Sequence, residues 1–196
     1  MKQVNLGSQG LRVPAIGLGC MGMSEVSAAS LKKANSVHSI TALQSEYSIW
    51  VRDIEKDILP TCRELNVAVV PYSPLGRGFL TGNLTNNRQF DDNNFRKDIP
   101  LFQGENFINN LNIVKELEKI AASKNCTTRQ LALTWLKHQG DDIFPIPGTK
   151  RRAYLKENIR SLMIDLTDNE VDQIKIVSES VRGYRKNESG MLLLDN

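Results

Sequence analysis

The sequence predicts an α/β fold: a parallel sheet with helices on its outer side, preceded by an N-terminal β-hairpin. Three observations predict it. Strand-like apolar runs alternate with stretches of helical spacing four times along the chain, the pattern of parallel-sheet proteins. The run Val67–Tyr72 (VAVVPY) is too apolar to alternate, which suits a strand buried on both faces. Two Thr-x-x-Gln/Glu capping boxes, Thr127/Gln130 and Thr167/Glu170, open helices after loops.

The elements follow in order. Gln3–Leu6 and Leu11–Val13 flank the Gly-bounded turn 7–10 and read as a hairpin. After Pro14, the run AIGLGC ending at Cys20 reads as a buried strand whose glycines admit close backbone neighbours. Ser27 is a candidate N-cap for a short helix to about Ser36. Ile40–Ile49 is a strand candidate. Ile54, Ile58, Leu59, Cys62 and Leu65 share one face of a helix over 54–65, with a kink expected at Pro60. Val67–Tyr72 is the next strand. Gly76–Pro100 is long, polar and rich in Asn, Asp and Gly, as functional or disordered loops are. A helix over 106–123 should bury Leu111, Val114, Leu117 and Ile120. The Thr127 box starts a helix to His138 that buries Leu131, Trp135 and Leu136. Ile143–Ile146 is a strand ending in Pro147-Gly148, and a helix begins near Ala153. The Thr167 box starts the last helix, with Val171, Ile174 and Val177 inward; the tail after Arg182 is expected to be weakly ordered.

Bulk properties narrow the function. A formal charge of +3 over 196 residues, with no long basic run, argues against a nucleic-acid partner. The apolar stretches are too short to span a membrane. The start lacks the apolar segment of a signal peptide. Cys20, Cys62 and Cys126 are odd in number and widely spaced, so reduced thiols in a cytoplasmic protein are expected. His38 and His138 lack metal-ligand spacing.

Two segments have the chemistry of phosphate sites. Tyr72-Ser73-Pro74-Leu75-Gly76-Arg77-Gly78-Phe79-Leu80-Thr81-Gly82 follows a strand directly. Its glycines allow backbone N–H groups to approach a pyrophosphate, and Arg77 adds charge; an ordinary turn entering a loop is the alternative. Gly148-Thr149-Lys150-Arg151-Arg152 runs into a helix containing Glu157 and Asn158. Three cations oppose the dipole at a helix N-terminus, and a bound phosphate would relieve the conflict; a solvated basic patch is the alternative. Gln44 stands inside an apolar strand and could hold a ligand amide or a neighbouring backbone group. No GxGxxG follows any strand, so a Rossmann site is not indicated.

Taken together, LGSQGLRVPAIGLGCMGMS, TALQSEYSIW, VVPYSPLGRGFLTG and FPIPGTK…ENI, in this order, resemble the aldo-keto reductases over nearly the whole chain. The long matches are most similar to the plant branch of perakine-reductase and auxin-induced-type proteins. The resemblance implies a (β/α)8 TIM barrel closed below by a hairpin, with cofactor and substrate at the C-terminal ends of the strands. It implies NADPH as cofactor and a small-molecule aldehyde or ketone as substrate. Gln44 would bond the nicotinamide carboxamide and Tyr72 would stack on its ring. Ser73, Pro74, Leu75, Gly76, Arg77 and Gly78, with Leu80, would follow the pyrophosphate. Gly148, Thr149, Lys150 and Arg151 would surround the 2′-phosphate, and Glu157 and Asn158 would meet adenine.

The family's catalytic segments have no match in this sequence. A tyrosine that protonates the carbonyl, its lysine and aspartate, and a histidine should lie in segments resembling ID(T/S)A…YG and YYxHR; none is found, so no catalytic residue is assigned. The chain therefore reads as one shortened domain: residues 1–23 a hairpin and first strand, 24–182 a C-terminal half-barrel of about four parallel strands with outer helices, and 183–196 a tail. The run AIGLGCMGMSEV is expected in the fifth-strand slot beside the sixth strand. Open sheet edges and an uncovered inner face predict self-association or marginal stability.

Overall fold

The computed structural model describes residues 3–5, 8, 10, 12–14, 26–86, 90, 91 and 93–186. At the start, β1 (Gln3–Asn5) and β2 (Arg12–Pro14) pair antiparallel with Val4 opposite Val13, the expected hairpin. The apolar run after Pro14 lies outside the described residues, and with it the expected slot of that strand.

The next elements build one half of a barrel wall. Helix α1 (Ala28–Val37) is capped by Ser27, whose Oγ accepts from Ser30 N–H at 3.2 Å, and it buries Leu31. β3 (Ala42–Glu46) is shorter than the expected strand: a bridge between Ser48 and Val51 turns the chain, and Ile49 to Val51 enter the core. The helix expected over 54–65 divides into a 3₁₀ turn, Asp53–Glu55, and α2 (Ile58–Glu64). Pro60 does not kink α2. It sits in the first turn, where a backbone N–H would have no intrahelical partner.

β4 (Ala68–Tyr72) runs parallel to β3, with Ala42 opposite Ala68 and Glu46 opposite Tyr72. The expected strand 143–146 is a thinner partner. Ile143 bridges Val69 in parallel, Phe144 N–H donates to Val69 O at 2.9 Å and Ile146 N–H to Pro71 O at 3.1 Å. The parallel segments thus lie side by side in chain order, as in a partial (β/α)8 barrel.

Register sorts the side chains onto two faces. Leu43, Ser45, Val69, Pro71 and Ile143 share the face that meets the helices, where Val69 is fully buried with Cys62, Leu131 and Leu136. Ala42, Gln44, Glu46, Val70, Tyr72, Phe144 and Ile146 share the other. There Ala42, Gln44, Phe144 and Ile146 are exposed and Val70 is half-buried. This corrects the expectation that β4 is buried on both faces: apart from Arg77 and Arg185, which cover Glu46 at the strand ends, no described segment packs across this concave side, so burial alternates along the strand.

The polar stretch 76–100 is likewise more structured than its composition implies. It forms short 3₁₀ turns at Gly76–Thr81 and Phe95–Asp98. Phe79 and Phe90 pack against Phe102 and Phe107, with ring centroids 5.0–6.4 Å apart. Helix α3 (Gly104–Ser123) buries Val114 and Leu117 as expected, while Leu111 and Ile120 are half-buried. α4 (Thr128–His138) and α6 (Asp168–Glu179) both open with complete capping boxes, and α5 (Arg152–Arg160) lies between them in sequence. The described part of the tail is pinned rather than loose. Asn110 Nδ2 donates to Arg182 O, Arg182 N–H returns to Asn110 Oδ1, and Leu101 N–H donates to Tyr184 O.

Candidate nucleotide-binding site

The C-terminal ends of β3, β4 and segment 143–146 point the same way, so the segments that follow them gather at one rim. Gln44 is exposed on the concave face of β3. Tyr72, two pairs further along, is half-buried at the end of β4.

The loop after Tyr72 is tightly wound. Ser73, Gly76, Arg77 and Gly78 all have positive φ, between 50° and 95°. Gly76 N–H donates to Ser73 O and Gly78 N–H to Leu75 O. A Cβ at Gly76 would fall within 2.5 Å of the Trp50 indole, so position 76 tolerates neither the dihedral nor the volume of a side chain. Pro74, Leu75 and Leu80 are buried, so their side chains build the core and only their backbone can face a ligand. Beside the loop lies an open cleft of about 500 Å³, lined by Ser73, Arg77, Asp91, Asn93, Asn94, Phe95 and Arg96.

Arg77 does not point freely into that cleft. Its Nη2 donates to Glu46 Oε2 at 2.9 Å and its Nη1 to Arg185 O at 2.9 Å. Glu46 is buried at the end of β3; burial raises its carboxyl above the ordinary value, while Arg77 and Arg185 pull it back down. Burial and the neighbouring Glu46 likewise raise Tyr72, which keeps its phenol protonated. Among the other tyrosines, Tyr47 is buried and donates to Glu55 at 2.8 Å, Tyr154 lies against Arg129, and Tyr184 is exposed on the tail.

At the opposite end of the rim, Gly148, Thr149, Lys150 and Arg151 are exposed ahead of α5. Thr149 Oγ1 accepts from Arg151 N–H at 3.1 Å and shapes the turn. Arg151 is the N-cap of α5, whose first turn has no acidic residue and begins with Arg152. Glu157 accepts from Thr127 Oγ1 at 2.6 Å and pairs with Arg129 Nε at 3.3 Å, so α4 sets its orientation. Asn158 is 5% exposed, yet neither Nδ2 nor Oδ1 has a hydrogen-bond partner among the described residues. Buried amides are seldom left so, and this one carries both an unused donor and an unused acceptor.

The residues singled out from sequence thus fall into two groups on one rim: Gln44, Tyr72 and the loop 73–80, and 148–151 with Glu157 and Asn158. Sequence reasoning missed the supports. Arg129 is buried within α4, and Arg185 lies in the tail; neither stands in a recognisable motif. Glu46 had a signal, a carboxylate inside an apolar strand. Among the described residues no group of three His, Cys, Asp or Glu side chains is placed to hold a metal ion, and no helix is long and apolar enough to cross a membrane.

Known proteins align with this arrangement. Residues 18–179 match the family model described as the Aldo/keto reductase family. A glycerol dehydrogenase from Gluconobacter oxydans is 26% identical, with a TM-score of 0.74, over 79% of this chain and 47% of its own. An aldo-keto reductase from Klebsiella pneumoniae, solved in complex with NADPH, shares the fold at 22% identity and a TM-score of 0.54, over 77% of this chain and 44% of its own. The chain spans about half the length of these solved structures. With the family model covering most of its residues, the chain belongs to the aldo/keto reductase family.

Proposed function

We propose that this chain is the NADP(H)-holding half of an aldo-keto reductase-type oxidoreductase, related to the plant perakine-reductase and auxin-induced-type branch. The observation that carries the reading is Asn158: a buried amide with both polar atoms unpartnered, on a helix whose N-terminus offers Thr149, Lys150 and Arg151. An adenine edge would satisfy the amide, and a 2′-phosphate would answer the cations at the helix start. In this reading Gly148, Thr149, Lys150 and Arg151 select NADPH over NADH, and Glu157 with Asn158 receives the base. The backbone of Ser73 through Gly78, and of Leu80, follows the pyrophosphate. Tyr72 lies under the nicotinamide and Gln44 bonds its carboxamide. When bound, the dinucleotide supplies hydride for an aldehyde or ketone. Because the segments bearing the family's proton donor have no match in this sequence, the chain alone holds the dinucleotide without turnover. The free thiols of Cys62 and Cys126 suit the cytosol, the compartment proposed for it.

A second reading, an interaction module, is favoured by the exposed concave face at Ala42, Gln44, Phe144 and Ile146. One titration separates the two. Binding of NADPH, followed by nucleotide fluorescence, is expected to be saturable and tighter than that of NADH. Arg151→Ala should weaken NADPH about tenfold, the loss of one charge-assisted hydrogen bond, and leave NADH unchanged. No binding of either nucleotide by a folded chain would reject the first reading in favour of the second. Steady oxidation of NADPH with a simple aldehyde would reject the non-catalytic assignment.

A further inference from the structure

We infer that Glu46 and Arg185 are positioning residues which hold the loop 73–78 in a nucleotide-ready shape, Arg185 restoring the positive charge that Glu46 takes from Arg77. The inference rests on the dinucleotide reading above and extends it to residues that lie in neither phosphate motif.

The geometry is specific. Arg77 is one of four described non-glycine residues with positive φ, at 53°, a strained backbone that its fastened side chain helps the loop's own hydrogen bonds to hold. The fastening is a fork. One guanidinium nitrogen donates to the carboxylate at the end of β3, and the other to the backbone carbonyl of residue 185, each at 2.9 Å. Arg185 then turns its own guanidinium back as a charge rather than a hydrogen-bond donor: Nη1 lies 3.7 Å from the same Glu46 oxygen, and Nε lies 3.3 Å from Asp53 Oδ2 without bonding it. The side chains of Arg77 and Arg185 are each 13% exposed and that of Glu46 is 2% exposed, so the three interact with little solvent screening. A further clamp comes from Arg96, whose Nη1 donates to Arg77 O at 3.1 Å.

Charge explains why two arginines meet one carboxylate. Glu46 alone would cancel Arg77, leaving the loop no electrostatic attraction for a pyrophosphate. With Arg185 the buried trio is net positive. Asp53 balances it on paper, but its side chain is 61% exposed and water screens it. Glu46 also stands directly opposite Tyr72 in register, so the trio lies beneath the point where the chain leaves β4 for the loop. The C-terminal segment is thereby built into the site.

The test compares two probes. NADPH spans the whole rim, whereas adenosine 2′-monophosphate engages only the end at 148–158. Glu46→Gln and Arg185→Ala are each expected to weaken NADPH about tenfold and to leave the affinity for adenosine 2′-monophosphate within about twofold. Arg185→Lys, which keeps the positive charge beside Glu46 and leaves the Arg77 fork in place, should recover part of the loss. In the absence of nucleotide, amide hydrogen exchange at residues 75–81 should quicken in both disruptive variants. Equal loss for both probes would mean general destabilisation and overturn the inference, as would unchanged NADPH binding. Should the wild-type chain bind neither probe, the dinucleotide reading fails, and exchange alone decides: faster exchange supports the loop-holding role and unchanged exchange overturns it.

Discussion

Asn158 and Trp135 are both buried with unsatisfied nitrogen, but their surroundings differ. Trp135 has its ring packed edge-on by Tyr47 and overlaid by Arg52, so its indole is committed to the core. Asn158 lacks partners for both its donor and its acceptor, on the helix that begins at the exposed cations. Leaving such groups unpaired costs about 1–3 kcal/mol. Asn158→Leu, similar in volume and without polar atoms, should therefore keep or raise the melting temperature of the nucleotide-free chain. The same variant should lose most of its affinity for NADPH. Thermal denaturation with and without nucleotide measures both effects, and a large destabilisation of the free chain would show that the amide has a structural partner.

The helices meet the sheet through apolar side chains, and one polar pair beside that contact has a pH response. Arg63 on α2 grips Asp142, just before segment 143–146, through Nε at 2.9 Å. Hydrogen bonding by Arg63 holds the Asp142 carboxyl below its ordinary value of 3.8. A carboxylate depressed in the folded state contributes stability above its unfolded pKa and loses it as pH falls through the folded value. Both partners are partly exposed, which limits the contribution to under about 1 kcal/mol. Asp142→Asn should thus lower stability slightly at pH 7 and converge with the wild type once pH falls through the depressed value of the folded carboxyl, in urea unfolding followed across pH. Much at this scale was legible in the sequence. The Ser27 cap and both capping boxes depend on residues within three positions of one another and the hairpin on strands joined by a short turn, and all form as read. What was illegible depends on distant contacts. Pro60 reads as a kink until the helix is seen to start two residues earlier. The polar loop gives no hint that Phe79 and Phe90 will find Phe102 and Phe107. Arg185 is an undistinguished tail residue until the fold brings Glu46 beneath it. The candidate phosphate residues were readable because glycine, hydroxyl and cation follow strand ends directly; their second layer was not.

For the whole molecule, the decisive feature is the concave side of the sheet. Phe144 and Ile146 project from it on alternate residues of one segment, and Val70 and Gln44 continue the surface across β4 and β3. A closed barrel would fill this face with side chains. The chain is expected to self-associate through it, with an apparent mass by sedimentation equilibrium that rises over the micromolar range. Replacing Phe144 and Ile146 together by Asp should return the mass to the monomer value; an unchanged oligomer would place the interface elsewhere. The seam on which segment 143–146 hangs has its own consequence. Its backbone hydrogen bonds to the wall, among the described residues, run to Val69 and Pro71, across an excursion of about seventy residues whose closure entropy must be met. Under heat or pulling force the wall should therefore unzip at that line before β3 parts from β4. Such a break would strand the cation-bearing end of the rim, with α5, on one side and the glycine loop on the other.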